Sequence, residues 1–328
     1  MSAVSIFLVI VFLVVAGAAL LLLLGPGPKL DDRWPDVSIP VPDNLDDLSA
    51  WLNAREAAVP GLIDGAGACI SFANPDNPQP TALCFIYIHG FSATWPETAP
   101  VTERLAKRFD ANVLQARLAG HGTEPHTMVT PAENWLKSMA ETWEIASQLG
   151  HKVVIVATST GAPLSIWLAS QEQVENRIHA LLFMSPNFKI QSRFDFLLTA
   201  PLSRYWIHHL LGRQRSWVPV NDAQAKYWTY QYSTLALIEM QKAVDWVKRQ
   251  QLGKMRTPLA VMYMKNDPTI SPQAAMRKFV HWGSTHKRLI PVEIDGDAPD
   301  HVFCGDIVGP HRTDWVVDQF TRFLRECT

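Results

Sequence analysis

A serine, an acid and a histidine that together could attack acyl groups stand far apart in this chain, each just past an apolar run. The serine lies in VVIVATSTG, Val153 to Gly161. Val153, Val154, Ile155 and Val156 are β-branched and suit a strand covered on both faces. Ala157, Thr158, Ser159, Thr160 and Gly161 then follow the small-x-Ser-x-small pattern of a nucleophile elbow, with Ala in the first small position. The chain must turn from strand to helix within a few residues, and bulk two positions either side of the serine would collide with neighbouring backbone. The turn exposes the hydroxyl and aims the N–H of Thr160, at a helix N-terminus, toward an incoming carbonyl oxygen. Three adjacent hydroxyls compete for the central place. Anchoring the small residues at Ala157 and Gly161 puts Ser159 there; centring Thr158 or Thr160 brings in Val156 or Ala162 as a flank.

The partners of such a serine follow in the order acid, then histidine. LAVMYMKNDPTISP, Leu259 to Pro272, is an apolar run ending in a loop, with Asp267 just past its C-terminal end. Open parallel sheets place functional groups at that edge. Ser271 and Pro272 predict the N-cap and first position of the next helix. LIPVEIDGDAPDHVF gives a short strand, Leu289 to Ile294, then a polar loop, then His301. The Asp-to-His interval holds one helix and one strand. Asp295, Asp297 and Asp300 compete for the acid's role, but each would have to reach back to a near neighbour within the histidine's own loop.

Upstream, ALCFIYIHGFSATWPE reads as a buried strand ending in His89-Gly90-Phe91, where Gly90 allows a tight turn and close approach of a substrate. A further strand ends in Gly120-His121-Gly122. His89 and His121 are read as structural loop residues. The set HGFSAT, RLAGHG, ATSTG, KNDPTIS and DH resembles the α/β-hydrolase superfamily, close to bacterial carboxylesterases and monoacylglycerol-lipase-like enzymes. The likeness runs from about Ala82 to the C-terminus and thins between Gln191 and Lys254. It implies Ser159 as nucleophile, His301 as general base and acid, Asp267 as the group orienting the imidazole, and the N–H groups of Phe91 and Thr160 as oxyanion donors. It implies no cofactor and a small-molecule or lipid ester as substrate. Relatives that open epoxides or C–halogen bonds carry Asp at the elbow, which Ser159 argues against. The same triad can also serve an acyltransferase, a thioesterase or an amidase, and a catalytically silent binding module would keep the fold without the chemistry.

The 328 residues are 48% hydrophobic and 18% charged, ample for one large core, and the net charge of −2 gives no pull toward nucleic acid. No feature fixes an oligomeric state. Ile6 to Leu24 is an unbroken apolar run, about 19 residues, the length of a transmembrane helix. No basic residue precedes the run and no A-x-A-like site follows it, which favours an uncleaved anchor over a signal peptide. Residues 1–28 are therefore expected to anchor the protein in a membrane. Lys29 and Arg33 after the run lean toward a cytoplasmic enzyme domain. Cys69 and Cys84 could pair only if their strands were adjacent; otherwise all four cysteines are thiols. No CxxC or His-rich spacing suggests a metal.

Residues 29–45 read as a Pro- and Asp-rich linker, and 46–328 as the hydrolase domain: a mostly parallel sheet flanked by helices. Leu45 to Ala58 predicts a helix. Thr130-Pro131-Ala132-Glu133 predicts a capping box, with Trp135, Met139, Trp143, Ala146 and Leu149 on one helix face and Gly150 closing it. About 70 residues separate the strand at Ala180 from that at Leu259, far more than one crossover needs. Residues 191–254 are expected to form a helical cap over the site. Its apolar side chains would either seal it to the sheet or line an acyl pocket.

Overall fold

The computed structural model describes residues 2–37, 39–174, 176–293 and 300–327, with the backbone alone for residues 18, 19 and 21–24. The strands in chain order are β1 (Cys69–Ser71), β2 (Thr81–Ile88), β3 (Asn112–Gln115), β4 (Gly150–Thr158), β5 (Ile178–Met184), β6 (Gln214–Ser216), β7 (Gln231–Ser233), β8 (Leu259–Met264) and β9 (Lys287–Val292). The helices are α1 (Ala3–Leu24), α2 (Leu45–Ala57), α3 (Val101–Lys107), α4 (Ala132–Leu149), α5 (Gly161–Ala169), α6 (Ser203–Leu211), α7 (Asp222–Tyr227), α8 (Ala236–Arg249), α9 (Pro272–Val280) and α10 (Pro310–Glu326).

Seven strands form one sheet in the order β1-β3-β2-β4-β5-β8-β9. Only β1 runs antiparallel to its neighbour. β4 lies at the centre, and its alternation divides two cores. Val153, Ile155 and Ala157 pack on one face with α4, α5 and α8. Val154 and Val156 pack on the other with α3 and α10. Each fully buried branched side chain there contributes about 1.5–3 kcal/mol. This two-sided burial is why the run is continuously apolar. β3 separates β1 from β2, so Cys69 and Cys84 sit on non-adjacent strands, and all four cysteines are free thiols.

Two helix boundaries differ instructively from expectation. Ser271 caps α9 as its sequence predicts, its side chain accepting from Ala274 N–H. Thr130 does not cap α4: the N-cap is Pro131, with no side-chain bond of its own. Instead Glu239 of α8 reaches across, and its Oε2 accepts from Ala132 N–H at 2.9 Å. Glu133 turns outward to Lys242 Nζ at 2.8 Å and to the N–H of Asp31 at 3.1 Å. Gly150 does not close α4 in a left-handed turn either. Its backbone is extended and opens β4, and a Cβ there would meet Cys84 N at 2.7 Å.

The segment after α1 lies on the body. Leu30 is buried, Trp34 stacks on Trp167 at 5.6 Å, and Asp32 Oδ2 accepts from Trp246 Nε1 at 2.6 Å. Between β5 and β8, residues of α6, α7 and the β6–β7 hairpin lie outside the sheet, whereas α8 buries Met240, Val244 and Val247 in the main core.

The expectation of a membrane anchor is corrected here. Among the described residues no helix is long and apolar enough to cross a membrane. The expectation rested on counting apolar letters from Ile6 to Leu24, and such a run sets a span only if it forms a long, apolar spanning helix. With that anchor go the inferred membrane partner, the membrane localisation and the lean toward one membrane face.

Candidate active site

The elbow forms because β4 must end and α5 begin within two residues. Ser159 takes the strain, with φ of 52° in the left-handed region that disfavours a side chain. Its N–H donates to Met184 O at 3.0 Å, and its carbonyl accepts from Ala162 and Asn187 N–H groups. Gly161 is required by close approach: a Cβ would lie 2.3 Å from Ile88 O. On the facing side, a Cβ on Gly90 would lie 3.2 Å from Ser159 Cβ. The smallness demanded by the sequence pattern therefore has two sources, one on each side of the serine.

Three strand ends meet at this rim. His301 Nε2 lies 2.8 Å from Ser159 Oγ, and His301 Nδ1 lies 2.8 Å from Asp267 Oδ2. Asp267 is buried just past β8. Its Oδ1 accepts from the N–H groups of Thr269 and Ile270 at 2.8 and 2.9 Å, which fix the carboxylate plane. Burial pushes the Asp267 pKa up. The charge of His301 and hydrogen bonds from His301, Ile270 and Thr269 outweigh it and hold the group below its ordinary value. Asp267 thus stays an acceptor facing the imidazole, which places the Nδ1 proton on the carboxylate side and leaves Nε2 facing the hydroxyl.

The other candidates separate cleanly. The N–H groups of Phe91 and Thr160 have no acceptor among the described residues. Phe91 is held edge-on against Tyr232 at 5.3 Å, and Thr229 N–H donates to Ser92 O at 2.7 Å, so residues 229–232 cover the loop after β2. Asp300 sends its N–H to Met264 Sδ. Asp295 and Asp297 lie outside the described residues. Neither His89 nor His121 touches the serine. His89 donates from Nδ1 to Gly90 O and accepts at Nε2 from Leu118 N–H. His121 donates from Nδ1 to Ala119 O within a ring cage of Phe91, Trp135 and His89. Burial holds His121 down at about 4 and His89 well below its usual value, with the neighbouring His121 adding to the effect on His89.

Three contributors have no motif to announce them. Asn187, after β5, places Nδ2 3.2 Å from Thr160 Oγ1 and steadies the elbow from the side. Tyr87 of β2 and the buried Glu97 lie beneath the loop bearing Phe91. The one available cue was an acid in an otherwise apolar turn, Trp95-Pro96-Glu97. Among the described residues no cluster of His, Cys, Asp and Glu is placed to hold a metal.

Comparison with solved structures places the fold. A structure from the metagenome-derived lipolytic enzymes LipS and LipT aligns with a TM-score of 0.63 at 16% identity, over 81% of this chain and 99% of the other. A monoacylglycerol lipase from Paleococcus ferrophilus aligns at 0.60 and 14% identity, over 80% and 98%. A variant of monoglyceride lipase from Saccharomyces cerevisiae, solved with a substrate analog, aligns at 0.56 and 14%, over 81% and 93%. At these identities the likeness establishes architecture. No curated protein matches by sequence. A family model described as serine aminopeptidase, S33, matches residues 78–293, and on that match the chain belongs to this family of α/β hydrolases.

Proposed function

We propose that the chain hydrolyses carboxylic esters through an acyl-enzyme, with Ser159, His301 and Asp267 as its triad. The observation that carries this reading is the continuous relay of two 2.8 Å contacts from Asp267 through His301 to Ser159. Ser159 Oγ bonds to the ester carbonyl carbon as its proton passes to His301 Nε2. The carbonyl π pair moves onto oxygen, and that oxyanion is held by the N–H groups of Phe91 and Thr160, worth about 3–4 kcal/mol per donor. Asp267 keeps the imidazole oriented while it carries the extra proton. Collapse expels the alcohol, which takes that proton. Water then repeats the sequence on the acyl-enzyme and releases the acid.

We propose that residues 191–254 form the cap, with α8 seating it on the sheet, and that its apolar contacts favour a substrate with a lipid-like or medium-length acyl chain. Tyr232 packs on Phe91, Met240 approaches Asn187 beside the elbow, and Leu198, Ile207 and Ile238 form a small core beneath the cap. The monoacylglycerol lipases among the similar structures are consistent with that class. The test is turnover of p-nitrophenyl esters from acetate to dodecanoate beside an aminoacyl p-nitroanilide, with Ser159→Ala as control. Esters of medium chain are expected to be cleaved fastest and Ser159→Ala to lose at least about 10³-fold in kcat. Full turnover by Ser159→Ala would overturn the triad. A steep preference for acetate would overturn the acyl-chain reading, and preference for the anilide would overturn the ester reading.

A further inference from the structure

We propose that Glu97 is a positioning residue for this acyl-transfer site, its carboxyl group tying the loop that carries Phe91 to the strand that carries Ser159. The inference rests on the hydrolase reading and adds a fourth side chain to its triad. Glu97 ends the short turn Trp95–Glu97 and is 1% exposed. Its Oε1 accepts from Gly90 N–H at 2.6 Å and lies 2.8 Å from Tyr87 Oη. The same Tyr87 Oη lies 2.8 Å from Thr158 Oγ1, and Thr158 immediately precedes Ser159. One chain of hydrogen bonds therefore runs from the Gly90 amide to the elbow. Gly90 Cα is enclosed between its two ends: a Cβ there would lie 3.3 Å from Glu97 Oε2 and 3.2 Å from Ser159 Cβ. With its own N–H turned back onto Glu97, the Gly90–Phe91 segment leaves the Phe91 N–H as the free donor beside the serine.

A neutral acceptor could make that tie at less cost, because a buried carboxylate loses its hydration. Burial pushes Glu97 up to about 7, against the opposing pull of the Gly90 and Tyr87 hydrogen bonds and the charge of His301. The titratable groups facing it are Tyr87 from β2, and His301 and Cys304 from the segment after β9. Burial raises both the Tyr87 phenol and the Cys304 thiol, so neither is charged near neutral pH, and His301 is the group with which Glu97 exchanges influence. The carboxyl thus holds the oxyanion loop by geometry.

Glu97→Ala, Glu97→Gln and Tyr87→Phe, each in the full chain with a p-nitrophenyl ester, test this. Glu97→Ala removes the acceptor and is expected to lower kcat about 10- to 100-fold with KM changed less than about threefold, the pattern of a lost transition-state interaction. Glu97→Gln keeps an acceptor for Gly90 but no charge. It is expected to retain kcat within about threefold of the parent, a rescue by the conservative variant. Tyr87→Phe keeps the charge and cuts the link to Thr158, and is expected to lower kcat about 3- to 10-fold. A merely structural role would lower stability without lowering kcat at a nearly unchanged KM and without rescue by Glu97→Gln. If Glu97→Ala does not fold, Glu97→Gln and Tyr87→Phe still decide. A loss of more than about tenfold in kcat by Glu97→Gln, or kcat within about twofold of the parent in Glu97→Ala, overturns the proposal while Ser159-dependent turnover leaves the hydrolase reading standing.

Discussion

His301 and His121 stand in loops at the same edge of one sheet, both past the C-terminal ends of parallel strands, yet they occupy opposite chemical situations. His301 has a carboxylate on one ring nitrogen and a hydroxyl on the other, each at 2.8 Å, with its side chain 17% exposed. His121 has a backbone carbonyl on Nδ1, no partner for its buried Nε2 among the described residues, and aromatic rings around it. A carbonyl and a ring cage offer nothing that welcomes a second proton, so burial prevails and keeps His121 neutral down to about 4. His301 instead has the Asp267 carboxylate at Nδ1 and the Ser159 hydroxyl at Nε2, the arrangement that the proposed proton transfer needs. What distinguishes the proposed proton carrier from a spacer is the partner's chemistry, since neither residue type nor position at the rim differs.

That comparison can be broken most forcefully at His301. His301→Gln is expected to lower kcat/KM by about 10⁴-fold or more while leaving thermal stability nearly unchanged, measured by ester turnover and melting temperature. Retained turnover would dissolve the distinction. Asp267→Asn should cost about 10²- to 10⁴-fold in kcat, because an amide in place of the acceptor lets the ring adopt the wrong tautomer. Phosphonate labelling of Ser159 in that variant should slow in parallel.

His121→Phe sharpens the other side of the comparison through stability. In the unfolded chain a histidine takes up its proton near 6.5, whereas folded His121 holds off to about 4. Between those values the unfolded state binds more protons, so this contribution is present above 6.5 and is lost as pH falls toward 4. His121→Phe should remove about 2 kcal/mol of the stability otherwise lost between pH 7 and pH 5, read from denaturant midpoints at each pH. Glu97 acts with the opposite sign in an overlapping window. Its folded value near 7 stands above the ordinary 4.5, so the folded state binds more protons between them and stability falls as pH rises through that range. The parent profile is a sum of the two, and Glu97→Gln should stand above it most clearly at pH 8, the smaller effect because the Gly90 and Tyr87 hydrogen bonds offset part of the burial.

Much of this site is legible without coordinates because local rules are strict. An elbow needs small residues at fixed offsets, and Ala157, Ser159 and Gly161 supply them. Apolar runs before Asp267 and His301 mark strands, and past their ends lies the rim. Glu97, Tyr87 and Asn187 were not legible in this way. Each is one polar residue in an apolar setting, and nothing in its neighbourhood says which distant atom it will meet.

The sequence alone determined the order of strands and helices, the small-residue turn around Ser159 and the spacing that delivers Asp267 and His301 to one sheet edge. These follow from periodicity, backbone sterics and chain order, which act over a few residues. Tertiary structure decided the rest. Glu239 rather than Thr130 caps α4, Trp34 and Asp32 bind what looked like a free linker onto the body, and the apolar run at the N-terminus did not supply a spanning helix among the described residues. The physical reason is common to these cases. A buried donor takes whichever acceptor folding brings within about 3 Å, and a distant side chain already fixed by packing outcompetes a near one still free to turn.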